Sequence, residues 1–273
     1  MRLGCCIPIS RYEQIAKDGY DYVEFPAYEI EALTEPEVTA LAEKLREYGI
    51  PCDRLNAYSL GVPAIVGEHF SQEDTKRYAE RLMERAAALH VKSVGIGAPL
   101  ARKVPEGFDM SKANGQCEDF LRLTGKIAAS YGIDILLEAV QKKMCNYMNN
   151  TWEALEMVKR LSMENLWLVV DLYHMETMGE DWKDLKNYIS WTKHIHVSTV
   201  GDGISRGMYG TGDEIYCQRT FDAILKSGYN GSVSIEPDPA ALSPEAIKTA
   251  LLMMRTACKK AEFSTPLSEF YKR

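Results

Sequence analysis

The sequence predicts a single (β/α)8 barrel of the α/β class. Three observations carry that prediction: eight short β-rich runs, helical stretches with apolar residues spaced by three and four between them, and a repeat of roughly 30 residues per unit, with no linker rich in proline, glycine or serine. With 273 residues, 46% apolar and 26% charged, the chain can bury one large core.

In chain order, the first strand is expected at 3–9 and the second at 22–25. Thr34-Glu35-Pro36-Glu37 then supplies an N-cap hydroxyl, an early proline and a glutamate at capping-box distance, opening a helix with Val38, Leu41, Ala42 and Leu45 on one face. Gly49 ends that helix, and the third strand follows at 51–56. Tyr78, Leu82, Ala86 and Leu89 mark the apolar face of another helix before the fourth strand at 92–96. Gly132 closes the next helix, just ahead of the fifth strand at 133–138. The sixth and seventh strands are expected at 166–171 and 194–197, and Gly228 ends the helix before the eighth, at 232–236. Ser243-Pro244-Glu245 opens a final helix. The barrel is expected to span 1–263, with 264–273 as a surface tail. An open doubly wound sheet usually carries a glycine-rich phosphate turn after its first strand, and Cys5-Cys6-Ile7-Pro8-Ile9-Ser10 has none.

Composition narrows the function. Seven cysteines without CxxC spacing argue against a disulfide framework or zinc ribbon, so a cytoplasmic location is expected. A net charge of -7 and a pI near 5.4 disfavour a nucleic-acid partner, whose phosphates need a dense basic surface. The chain contains no 18-residue apolar segment and opens directly into a strand-like run, so no membrane association or processing is expected. Small molecules remain as the expected partners, and a homo-oligomer is compatible with this composition.

Four polar residues stand at the ends of successive apolar strands: Glu138, Asp171, His196 and Glu236. Catalytic groups of such barrels gather at the C-terminal strand ends. Alternation places Ser232, Ser234 and Glu236 on one face of the eighth strand, and His194, His196 and Ser198 on one face of the seventh, with Ile195, Val197, Val233 and Ile235 turned out toward helices. Three carboxylates converging there would repel one another unless a divalent cation compensated them. His174 lies three residues beyond Asp171, above the same opening. Glu24 closes the second strand and Asn56 the third, so by position both, with Cys6, are expected either on the opposite wall of a pocket, selecting substrate hydroxyls, or simply capping the barrel. Arg102, Lys103, Lys142 and Lys143 follow strands four and five; they are read as solvated surface, with contacts to a substrate phosphate as the alternative. Trp152, Trp167 and Trp191 are expected to pack, and His69 and His90 to be ordinary helix or loop residues.

The segments LEAVQKKMCNYMNNT, VVDLYHME, HIHVSTVGD, RGMYGTGDEIY and GYNGSVSIEP resemble the second half of the xylose isomerase-like TIM-barrel superfamily, in its sugar (phosphate) isomerase/epimerase branch, over residues 132–240. The resemblance implies one divalent ion, manganese, magnesium, cobalt or zinc, held by Glu138, Asp171, His196 and Glu236. It implies substrate binding by His174 of the DxxH pattern and by Arg206, four residues before Gly210. It further implies a small carbohydrate substrate, isomerised or epimerised through an enediolate with Glu138 and Glu236 as acid and base. Three departures stand out: Tyr209-Gly210-Thr211-Gly212 lacks the usual proline, the stretch from His196 to Arg206 is longer than in the ketose epimerases, and Met144 replaces a glutamate that those enzymes place six residues after the first ligand. Inosose-type dehydration would use the same site. A nuclease of the endonuclease IV type shares the barrel and the DxxH spacing but needs more histidines than the five present, and a barrel that binds a ligand without turnover is the remaining alternative.

Overall fold

The computed structural model describes residues 1–201 and 205–264. The expected tail beyond Ser264 lies outside the described residues. Eight parallel strands close into a barrel in the order β1-β10-β7-β6-β5-β4-β3-β2. They are β1 (Arg2–Cys6), β2 (Tyr22–Pro26), β3 (Cys52–Asn56), β4 (Ser93–Ile96), β5 (Asp134–Leu137), β6 (Leu166–Asp171), β7 (Thr192–Val197) and β10 (Ser232–Ile235). Two further strands, β8 (Thr199–Val200) and β9 (Arg206–Gly207), pair antiparallel as a small ribbon above the barrel.

The strand predictions hold in number and order, with shifts at the ends. β1 stops at Cys6 rather than continuing to Ile9. Ile7 still donates to Glu24 O at 2.9 Å, but Pro8 has no N–H to extend the ladder, and Ile9–Arg11 turn into a 3-10 helix. Glu138 and Glu236 fall just past β5 and β10, yet their N–H groups still donate to Ile96 O (3.2 Å) and Val197 O (2.9 Å). The ladder therefore fixes the backbone of both residues at the barrel mouth.

The helices are α1 (Tyr12–Ala16), α2 (Ala27–Ala32), α3 (Glu35–Tyr48), α4 (Gln72–Ala88), α5 (Met110–Ser130), α6 (Thr151–Leu161), α7 (Leu172–Thr177), α8 (Leu185–Tyr188), α9 (Glu214–Lys226) and α10 (Pro244–Ser264). The Thr34/Glu37 capping box forms at the start of α3, and Gly49 ends it in the left-handed conformation, φ 72°. A second capping box, Asn150 with Glu153, opens α6. Each satisfies orphan N–H groups that an uncapped helix would leave open. The α3 face of Val38, Leu41 and Leu45 is buried, as is the α4 face of Tyr78, Leu82 and Ala86. Full burial of one such side chain contributes about 1.5–3 kcal/mol.

Outward-facing Val23, Phe25, Ile195, Val197, Val233 and Ile235 form the layer under the helices. The barrel interior is unusually polar for this architecture, where branched aliphatic side chains normally fill the centre. Low in the barrel, Arg54 Nε donates to Ser232 Oγ at 3.1 Å, and His194 Nδ1 lies 2.9 Å from the same hydroxyl. Above them Ser234 Oγ bonds both Tyr22 Oη and Glu24. Trp152 departs from the packing expected of it and is 49% exposed on α6, whereas Trp191 packs partly buried against the core. Lys193 Nζ sits 4.3 Å from the centre of the Trp167 ring.

Candidate metal centre

The top layer of that polar interior brings the four strand-end residues together. One ligand atom from each of Glu138, Asp171, His196 and Glu236 can be chosen so that all lie within 4.8 Å of one another. His196 Nδ1 is 3.4 Å from Glu138 Oε1 and 3.2 Å from Glu236 Oε2. The other face of the ring is held from below: Nε2 lies 3.2 Å from Glu24 Oε2 and 3.9 Å from Cys6 Sγ.

The electrostatics follow from burial and neighbours. Burial raises the Glu138 carboxyl above its ordinary range, with Glu236 adding repulsion. Burial likewise raises Asp171, against the opposing pull of Arg206. For Glu236, burial is outweighed by Arg206 and His196, and the carboxyl is held low. His196 is pushed well above the usual imidazole range because Glu236, Cys6 and Glu24 together outweigh its burial. His194 is lowered to about 4, chiefly by burial, and is neutral beside the ionised Glu24. In the metal-free protein, then, an imidazolium and one guanidinium partly compensate the carboxylates. Three carboxylate groups and an imidazole form a hard, oxygen-rich donor set suited to manganese, magnesium, cobalt or zinc.

Arg206 and His174 stand over this cluster. The Arg206 guanidinium bonds Glu236, donates to Asp171 Oδ2 at 2.6 Å and reaches His174 Nε2 at 2.6 Å. Its backbone is locked to the loop after β10 by a reciprocal pair, Arg206 N to Asp238 Oδ2 (2.9 Å) and Asp238 N to Arg206 O (3.0 Å). Its planar group lies over the Tyr173 ring, 4.6 Å from the centroid. His174 is kept neutral by burial and by Arg206. Its Nδ1 lies 3.3 Å from Gln141 N, so donors approach both ring nitrogens of a group with one lone pair to offer.

Glu138, His174, Arg206, Glu236, Asn56 and Cys6 all line one cavity of about 280 Å³ at the C-terminal mouth of the barrel. Asn56 Nδ2 donates to Glu236 Oε1 at 3.1 Å, which leaves its Oδ1 buried without a partner. Gly97 makes the close approach possible: a Cβ there would overlap Glu138 Oε2.

Two expectations need correction. Glu24 does not line the cavity. It lies beneath, with Oε1 2.6 Å from His194 Nε2, Oε2 against His196 and a bond from Ser234, so it holds the His196 ring from below instead of facing the cavity. Arg102 is not solvated surface either; it is fully buried, and its Nη1 donates to the Glu138 main-chain oxygen at 2.7 Å. Lys103, Lys142 and Lys143 are exposed and outside the cavity lining, and His69 and His90 lie exposed in turns. Sequence reasoning missed Asp238 and the β8–β9 ribbon that carries Arg206. The β-branched Thr199-Val200 ahead of Gly201-Asp202-Gly203 was the available hairpin signal.

Comparison with known proteins gives a consistent result. A family model described as xylose isomerase-like TIM barrel matches residues 12–257. The inosose isomerase of Halalkalibacterium halodurans is 28% identical over 263 residues, covering 87% of this chain and 86% of the relative. The 2-oxo-tetronate isomerase of Pectobacterium atrosepticum is 31% identical over 204 residues, covering 70% and 73%. A crystal structure of the IOLI protein with a bound zinc atom shares the fold, with a TM-score of 0.76 at 24% identity, covering 97% of this chain and 100% of the other. Among the described residues, no helix is long and apolar enough to cross a membrane.

Proposed function

This chain belongs to the xylose isomerase-like TIM-barrel family, and from that premise we propose that it is a divalent-metal-dependent isomerase or epimerase of a small sugar or polyol-derived ketone. The observation that carries the reading is the convergence of Glu138, Asp171, His196 and Glu236 within 4.8 Å, with Glu138 and Glu236 lining a monosaccharide-sized cavity. Its relatives named as inosose and 2-oxo-tetronate isomerases support the same class of reaction.

A divalent ion held by those four residues would polarise the carbonyl and adjacent hydroxyl oxygens of the substrate and acidify the carbon-bound proton beside them. The residues supply the rest. Glu138, whose carboxyl is raised by burial, is suited to take that proton on an oxygen facing the cavity. For an isomerisation Glu138, once protonated, would itself return the proton to the neighbouring carbon; for an epimerisation Glu236, ionised beside Arg206 and on the other side of His196 Nδ1, would take up a proton from solvent and pass it to the opposite face. General acid/base help of this kind contributes about 10²–10⁴ in rate. Arg206 and His174 would hold substrate oxygens, and the unpartnered Asn56 Oδ1 offers an acceptor to a hydroxyl.

The test follows proton exchange in D₂O over a panel of ketoses and inososes with the metal-loaded protein. The reading requires exchange with at least one of them, lost in both Glu138→Gln and Glu236→Gln; exchange that survives both substitutions removes the acid/base assignment.

A further inference from the structure

The cavity lining is of two kinds. Glu138, His174, Arg206, Glu236, Asp238 and Asn56 bring charged or hydrogen-bonding groups, with hydroxyls from Tyr28 and Ser59. The rest is largely apolar, and it includes Leu60 and Leu100, 64% and 63% exposed, and Met144, 37% exposed. Val62, 79% exposed, is two residues from Leu60, and a Cβ built on Gly61 would lie 3.6 Å from Leu100 Cβ, so the loops after β3 and β4 meet at this rim. Single exposed apolar residues are ordinary on a protein surface, but a group of them around an opening marks a binding face. Arg206 supplies the cationic side chain of the lining, and its charge is already paired with Asp171 and Glu236; Arg102 is buried behind the Glu138 main chain, and Lys103, Lys142 and Lys143 lie outside the lining. A phosphate entering here would have to compete with Asp171 and Glu236 for that one guanidinium, beside carboxylates that repel it.

Resting on the isomerase reading above, we infer that the substrate is an uncharged hydroxyketone whose end remote from the reacting carbons carries an apolar group, a deoxy terminus or an alkyl or aryl ether, packed against Leu60, Leu100 and Met144. The cavity of about 280 Å³ takes the sugar-sized part, at the small end of ligand pockets. The apolar group extends over the rim, where its burial releases water from side chains that are otherwise wet. The same rim against a second copy of the chain is the competing assignment.

The experiment compares three matched ketohexoses with the metal-loaded full chain: the parent sugar, its terminal phosphate ester and its terminal phenyl ether. Proton exchange gives kcat/KM, and thermal unfolding gives binding without turnover. The ether is expected to exceed the parent by about tenfold or more, and the phosphate ester to fall below it by a similar factor. Leu100→Ser with Met144→Ser should bring the ether-to-parent ratio near one while leaving metal affinity unchanged. A phosphate ester that matches or exceeds the ether, in kcat/KM or in thermal protection, overturns the inference and leaves the isomerase reading standing. A double variant that converts a dimer to a monomer without moving the ratio assigns the rim to a second copy and likewise overturns it. Thermal protection by the ether without exchange from any of the three sugars supports the rim assignment and contradicts the isomerase reading instead.

Discussion

Nε2 of His196 lies 3.2 Å from Oε2 of Glu24, so a carboxylate holds the back of the ring while Nδ1 faces Glu138 and Glu236. A carboxylate behind a metal-ligating imidazole fixes both its tautomer and its orientation, and raises its basicity. Glu24→Gln keeps a hydrogen-bond acceptor and removes the charge. The variant is expected to fold and to bind a divalent ion about 10–100-fold more weakly, measured by competition with a chelating indicator. Wild-type affinity in this variant would show that Glu24 serves the barrel interior alone.

Gly97→Ala tests the packing behind Glu138. The added Cβ meets Glu138 Oε2 and must displace the carboxylate or the β4 loop. A misplacement on the order of 1 Å can cost about 10² in rate, and a loss of that size in proton exchange is expected, together with weaker metal binding. The measurement is exchange rate against metal concentration in the variant and the parent.

Metal binding should release protons and weaken as pH falls. His196 is raised by Glu236, Cys6 and Glu24 against its burial, and Glu138 and Asp171 are raised by burial, so each holds its proton to a higher pH than in a free chain. Ligation requires all three deprotonated, so lowering the pH through these raised values opposes binding; Glu236, held low, stays ionised and contributes little to the dependence. Titration in weak buffer with a pH indicator should show acid release on metal addition. An affinity independent of pH would mean that the four groups are not the ligands.

Arg206 makes the metal-free state tolerable. Removing one partner of a buried ion pair costs about 3–5 kcal/mol, because the other charge is left uncompensated. Arg206→Ala leaves Asp171 and Glu236 without the guanidinium, so it should lower the unfolding temperature of the metal-free protein, with much of the loss recovered when a divalent ion is added. The recovery separates charge compensation from packing against Tyr173, which metal would not restore.

The barrel was legible because β-rich runs alternate with helical faces in every unit and glycines mark the helix ends. The inward direction of His196 and Glu236 was legible from alternation along β7 and β10. Depth was not. Parity assigns Glu24 to the interior but does not say how far down, because tilted strands are staggered around a barrel and one sequence does not carry that stagger. Glu24 was therefore expected beside a substrate and is found beneath His196. Arg102 lies in a loop, where no periodicity reports burial, and a charged loop residue reads as solvated until the fold closes over it. Arg206 was reached through a motif, whereas the ribbon that returns it to the site depends on antiparallel pairing between Thr199–Val200 and Arg206–Gly207.

The most direct test of the metal centre is elemental analysis and calorimetric titration of chelator-stripped protein with Mn²⁺ and Zn²⁺, run beside Asp171→Asn and Glu236→Gln. The account predicts a single tight divalent ion per chain, lost or much weakened in both variants. No stoichiometric ion in the parent, or an unchanged affinity in both variants, would contradict it.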